Sequence, residues 1–253
     1  MVLRTNGLTR EFGGVSAVED VDFELDEERL TSLIGPNGAG KTTFFNLITG
    51  TIEPTEGSIE LEKDGRWIDI TGASPSKTAS LGIHRAYQIT NLFPETSVLE
   101  NVRIAAQQHS GDSVKFWRNV TSFGKNYEEA YEILEKIGLA DLAERPAKNL
   151  SHAQKRRLEV GIALAGDPEV LLLDEPSAGV SSESVDDIME LIETVAGDYA
   201  VFFIEHNMDI VMSVSDRIVA LNRGRIIADG TPEDIRGNPD VQEAYLGSYG
   251  GEA

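Results

Sequence analysis

Apolar and polar residues alternate from Val2 to Leu8 and again from Val21 to Leu25. This is the two-residue period of strands with one buried face. Gly57 to Leu61 and Trp67 to Ile70 carry two further strand-like runs. Elsewhere the apolar residues stop alternating and run on, in Leu30–Ile34, Val170–Leu173, Ala200–Ile204 and Ile218–Leu221. Continuous runs of this kind fit a parallel sheet covered on both faces. Another apolar strand begins at Ile83. Helical signals come between the strands. Thr43 to Ile48 reads as a helix, and Ser74-Pro75 supplies an N-cap and first-turn pair for a short helix ending at Leu81. The chain changes character from about Val98 to Leu142, where Tyr127–Leu134 is helical and Gln107–Lys125 is weakly patterned. Residues from about 90 to 165 therefore read as a mostly helical insertion within a single domain spanning 1–253. Thr231-Pro232 and Asn238-Pro239 begin two short helices near the end.

The strand Leu30–Ile34 and the helix from Thr43 are joined by Gly35-Pro36-Asn37-Gly38-Ala39-Gly40-Lys41-Thr42, which fits G-x-x-x-x-G-K-[ST]. A glycine-rich turn between strand and helix aims successive backbone N–H groups into one concavity, which suits the β- and γ-phosphates of a nucleotide. Lys41 adds a point charge to those phosphates, and the Thr42 hydroxyl is a ligand for Mg²⁺, with Thr43 beside it. The strand Val170–Leu173 ends in adjacent carboxylates, Asp174 and Glu175. Asp174 is placed to hold Mg²⁺, directly or through water, and Glu175 to orient and deprotonate an attacking water.

Taken in order, these motifs resemble those of ABC-transporter ATPases. Leu150-Ser151-His152-Ala153-Gln154 looks like their LSGGQ signature. Gln88 resembles their Q-loop glutamine, His206 their switch histidine, and Phe12 the aromatic that stacks on adenine. Leu92–Val102, Ile204–Met212 and the ending from Gly230 to Gly247 are similar to the ATPases of branched-chain amino acid importers; urea and short-amide importers share these features. The resemblance implies an α/β P-loop NTPase fold of the ABC ATPase type, with a parallel core sheet, an antiparallel β portion and an inserted helical subdomain. It further implies that two such domains close on two Mg-ATP and that hydrolysis drives a membrane permease. By the same resemblance, Gln88 is expected to join Thr42 and Asp174 around Mg²⁺, and His206 to sense the γ-phosphate and relay its presence to Glu175. Ser151 to Gln154 face the ATP of the opposite subunit. That subunit is either a second copy or a sibling chain, and a solute-binding protein acts through the permease.

Physical readings accompany these roles. Ser151 suits the N-cap of a helix through Leu158 and Ile162, whose N-terminus carries partial positive charge. Phe12 offers a flat apolar face to a base. Two positions depart from the family pattern in ways that matter. Ala153 replaces a glycine of the signature, and Ser181 stands where an aspartate is common. His152 replaces the other signature glycine. A soluble ABC ATPase of translation or DNA repair shares most of this chemistry, but fused tandem domains or a long coiled-coil insertion are not visible. A P-loop kinase needs the nucleotide loop but not Ser151, Gln154 and His206 at these places.

Composition adds a limit and a question. There is no cysteine, hence no thiolate metal site, and no run of 18 apolar residues. The expected location is cytoplasmic, on the inner face of the membrane through the permease. Forty-three Asp and Glu stand against 22 Lys and Arg, a formal net charge of -21. Such a surface repels nucleic acid, and no nucleic-acid partner is expected. At about 1 M salt the Debye length falls to roughly 3 Å and the self-repulsion is screened, so the charge suggests a halophile's cytoplasm.

Overall fold

The computed structural model describes residues 1–86, 92–109 and 120–246. Four strands form an antiparallel sheet: β1 (Leu3–Phe12), β2 (Val15–Leu25), β4 (Glu56–Lys63) and β5 (Arg66–Asp69), in the order β2-β1-β4-β5. Six more make the central sheet: β3 (Thr31–Ile34), β6 (Ile83–Ala86), β7 (Val170–Asp174), β8 (Ala200–Ile204), β9 (Arg217–Asn222) and β10 (Arg225–Gly230). Their order is β10-β9-β3-β8-β7-β6. All neighbours are parallel except β10, which pairs antiparallel with β9 at the edge.

The continuous apolar strands are explained by what covers each face of this sheet. Leu172, Phe202, Ile204 and Val219 enter one hydrophobic cluster, while Leu171, Leu173, Phe203 and Ala220 enter another. The alternation is still two residues, but both sets are buried. The first cluster is shared with the antiparallel sheet and with α1 (Lys41–Ile48). There Phe202 stacks on Phe23 with ring centroids 4.8 Å apart, and Phe44 meets Phe23 edge-on at 5.5 Å. The second cluster is covered by helices. These include α3 (Val98–His109), α4 (Val120–Lys136), α5 (His152–Leu164), α6 (Ser182–Ala196) and α7 (Met208–Val214), together with α8 (Pro232–Gly237) and α9 (Pro239–Leu246). The remaining helix, α2 (Pro75–Ser80), lies between β5 and β6 in the chain.

Several elements differ from the sequence reading. The first strand runs on to Phe12, and α1 starts at Lys41 rather than Thr43. Ser74 stands at the N-cap of α2 with Pro75 in its first turn, but its hydroxyl makes no capping bond. The Thr78 hydroxyl instead ties α2 to Thr49 O, at 2.8 Å. No helix among the described residues is long and apolar enough to cross a membrane.

Candidate nucleotide site

The site gathers where β3, β7 and β8 end, the edge at which open parallel sheets present their loops. The loop after β3 needs two glycines for reasons of space. At Gly35 (φ +152°) a β-carbon would lie 2.1 Å from Leu221 O, and at Gly40 (φ +107°) 2.2 Å from Ala17 O. Backbone therefore seats directly on β9 and β2, and the loop curls around Lys41. The Lys41 side chain is buried, and its Nζ donates to Gly35 O at 2.6 Å and Pro36 O at 3.1 Å. Burial lowers the Lys41 pKa, and the charges of Glu175 and Asp174 oppose that shift. Asn37, Gly38 and Thr42 are exposed, Pro36 and Thr43 half-buried, and Ala39 buried. With no acidic residue in the first turn of α1, nothing there repels an anion.

Asp174 closes β7 and Glu175 follows it with a left-handed backbone, φ +49°. Register places these carboxylates beside β8, since Asp174 lies opposite Ile204. Glu175 N donates to Ile204 O at 2.9 Å. Two residues beyond Ile204 the chain reaches His206, whose Nε2 is 2.7 Å from Glu175 Oε1. Asn207 then caps α7 by accepting from Asp209 N at 3.0 Å. Asp174 pairs with Arg85 of β6, a side chain only 5% exposed. Arg85 also donates to Asn46 Oδ1 of α1 at 2.7 Å and lies over the Phe45 ring. The guanidinium thus ties β6 and α1 to the carboxylate at the end of β7.

Ser151 sits at the head of α5 in a reciprocal capping box. Its hydroxyl accepts from Gln154 N at 3.2 Å, and Gln154 Oε1 accepts from Ser151 N at 3.0 Å. His152 and Ala153 form the first turn of that helix. Phe12, at the end of β1, is 46% exposed, so its ring is not part of the core. The Arg10 guanidinium lies 4.6 Å from the Phe12 ring centroid. Gln88 lies outside the described residues.

Residues 18–178 match the ABC transporter family, and residues 225–250 match the branched-chain amino acid ATP-binding cassette transporter family. The chain belongs to the ABC transporter family. This cassette is 41% identical to the high-affinity branched-chain amino acid transport ATP-binding protein BraF of Pseudomonas aeruginosa, over 97% of this chain and 98% of that one. LivG of Escherichia coli, with the same description, shows the same identity and coverage. A probable branched-chain amino acid transport ATP-binding protein LivG of Archaeoglobus fulgidus is 35% identical over 99% of this chain and 97% of that one. Among solved structures, the ADP conformation of MJ1267, an ATP-binding cassette of an ABC transporter, superposes with a TM-score of 0.81. It is 30% identical, and the match covers 97% of this chain and 98% of that one.

Around the cassette's nucleotide loop the structure brings in residues that motif reading did not select. Arg85 and Asn46 reach Asp174 only through the parallel pairing of β6 with β7 and the packing of α1. Glu205, 3% exposed, precedes His206 and stands out only as a carboxylate at the end of an apolar strand. In sequence, the available signal for Arg85 was a cation in the short strand beginning at Ile83.

Proposed function

We propose that this cassette is the ATP-binding and hydrolysing subunit of an ABC importer for branched-chain amino acids. The observation that carries the catalytic part is the 2.7 Å contact between His206 and Glu175, next to a loop wrapped around Lys41. In this reading the loop N–H groups and Lys41 hold the β- and γ-phosphates, and Phe12 takes the adenine. Glu175 accepts a proton from a water whose oxygen attacks the γ-phosphorus as the bond to the β-phosphate oxygen breaks. His206 lies against the Glu175 carboxylate and relays the presence of the γ-phosphate to it.

The donor set fits Mg²⁺. Among the described residues no three His, Cys, Asp or Glu side chains form a metal cage. None is required, because Mg²⁺ is ordinarily held by one or two carboxylates together with substrate phosphates and water. Thr42 and Asp174 offer hard oxygen ligands, and Gln88 is assigned the third place. When bound, the ion neutralises charge on the phosphates. Before that, Arg85 balances Asp174.

The N-terminus of α5, with Ser151, His152, Ala153 and Gln154, serves the ATP held by a second cassette, identical or sibling. The helical segment from about 90 to 165 meets the permease at the cytoplasmic face of the membrane. A solute-binding protein acts on the far side. Support for the solute class comes from the match of residues 225–250 to the branched-chain family. The test is reconstitution of the cassette with a permease and a solute-binding protein of a branched-chain amino acid importer. ATP-dependent leucine uptake, with phosphate released to water, is the expected result. Uptake of urea instead overturns the solute class. Phosphate transfer to an organic acceptor overturns the ATPase reading.

A further inference from the structure

Glu205 is a buried carboxylate that the proposed chemistry does not use. Its Oε1 accepts from Ser177 N at 2.8 Å, and its Oε2 accepts from the next residue's backbone, His206 N, at 3.0 Å. Each carboxylate oxygen therefore serves a different segment. Ser177 lies two residues beyond Glu175, in the turn that leads to α6, and His206 opens the turn that leads to α7. These turns carry the two side chains that meet at 2.7 Å. The Glu175 turn needs holding, because a non-glycine residue at φ +49° is in a sparsely populated conformation. Its other ties include Glu175 N to Ile204 O and Ala178 N to Glu175 O at 3.0 Å. The end of β8 thus grips the turn twice, once through a carbonyl and once through a carboxylate.

We infer that Glu205 is a positioning residue that clamps the Glu175 turn to the His206 turn and so sets the contact between them. The inference rests on the ATPase reading above. Only a carboxylate meets both demands. Glutamine has nearly the same shape, but it presents one acceptor and one donor, so its amide N–H₂ faces a backbone N–H. One segment is then released. Aspartate keeps both acceptors on a stem one methylene shorter and cannot span the two segments as glutamate does.

The experiment measures steady-state ATPase activity in the assembled transporter, and equilibrium binding of Mg-ATP to the full chain, for wild type and for Glu205→Gln, each with and without His206→Ala. Misplacing a reacting group by about 1 Å costs on the order of 100-fold, so Glu205→Gln is expected to lower kcat about 10- to 100-fold. ATP affinity should stay within about threefold, because the phosphate loop is untouched. In the His206→Ala background the same change should cost no more than about twofold, since the contact it sets is already gone. Amide exchange at Ser177 or His206 should quicken in Glu205→Gln. Equal losses in both backgrounds, a parallel fall in ATP affinity, or unchanged kcat overturns the inference. Should Glu205→Gln fail to fold, Glu205→Asp is read by the same split and the same criteria. Absence of turnover by the wild type in the assembled transporter defeats the ATPase reading itself, whereas an active wild type with an equally active variant defeats only the clamp.

Discussion

Replacing Arg85 by methionine tests the proposal that Asp174, paired with Arg85, takes a cation. Methionine retains an apolar stem against Phe45, so the change mainly removes charge and donors. Asp174 loses its paired cation, and Asn46 Oδ1 loses a donor 2.7 Å away. Removing one partner of a buried pair typically costs about 3–5 kcal/mol. Asp174 keeps 13% exposure against 5% for Arg85, so water relieves part of that cost. The lower end, about 3 kcal/mol, is the expected figure for the nucleotide-free protein. In a chain of this size each kcal/mol moves Tm by about 2–4 °C, which gives a fall of roughly 6–12 °C.

Mg-ATP supplies the sharper part of the test. At about 100 times its Kd a ligand stabilises by about 2.7 kcal/mol in wild type. If the metal stands where Asp174 is proposed to hold it, the ion replaces the missing guanidinium charge, and the variant gains more than wild type does. The difference in Tm between the two proteins, measured by scanning calorimetry with EDTA and then with Mg-ATP, should shrink by about half or more. The same linkage requires tighter Mg-ATP binding by the variant. Arg85→Lys should fall between the two, because an ammonium keeps the charge but not the planar fork. A Tm gap that is unchanged by Mg-ATP refutes the pairing argument. So does an Arg85→Met protein as stable as wild type in EDTA.

Four further outcomes are expected. Glu175→Gln should keep ATP binding and lose about 10²–10⁴-fold in turnover, the usual worth of a general base; near-wild-type steady-state rates would show that another group takes the proton. With a net charge of -21, both Tm and ATPase activity should rise from low salt to molar KCl, and a flat or falling Tm would remove the halophile reading. In the assembled transporter, Ala153→Gly should change ATPase activity by less than about tenfold. Ser151→Arg should abolish cooperative turnover, and full activity there would remove the signature role of α5.

What could be read from the sequence was local in origin. The nucleotide loop declares itself because strand, turn and helix are contiguous, and β7, β8 and β9 because burial on both faces leaves unbroken apolar runs. The edge strand β10 gives a weaker signal: Arg225–Gly230 is only partly buried and pairs on one side. A reading built on strands passes over α6, although Ile188, Leu191, Ile192 and Val195 carry the helical period and are buried. The Arg85–Asn46–Asp174 group has no local signature at all, because its members are 39 and 89 residues apart and meet only through sheet order. Glu205 escaped for a related reason. Its partners are backbone N–H groups, and one of them belongs to a turn 28 residues away.

The same distinction between local and spatial causes bears on the alanine at position 153. Read against LSGGQ, a methyl in place of a signature glycine suggests crowding or a forbidden backbone conformation. In the structure residue 153 is inside the first turn of α5 and is not among the residues with left-handed backbone. Glycine is therefore not required by conformation, and within a helix alanine is the better residue by about 1 kcal/mol. What a helix N-terminus offers an anion is its unused N–H groups. The capping box occupies those of Ser151 and Gln154, leaving the N–H groups of His152 and Ala153 outside the intrahelical ladder. Alanine supplies such a donor as well as glycine does. In the proposed signature role, the cap fixes where those donors point, so the loss of Ser151 rather than of Ala153 is the one expected to be felt.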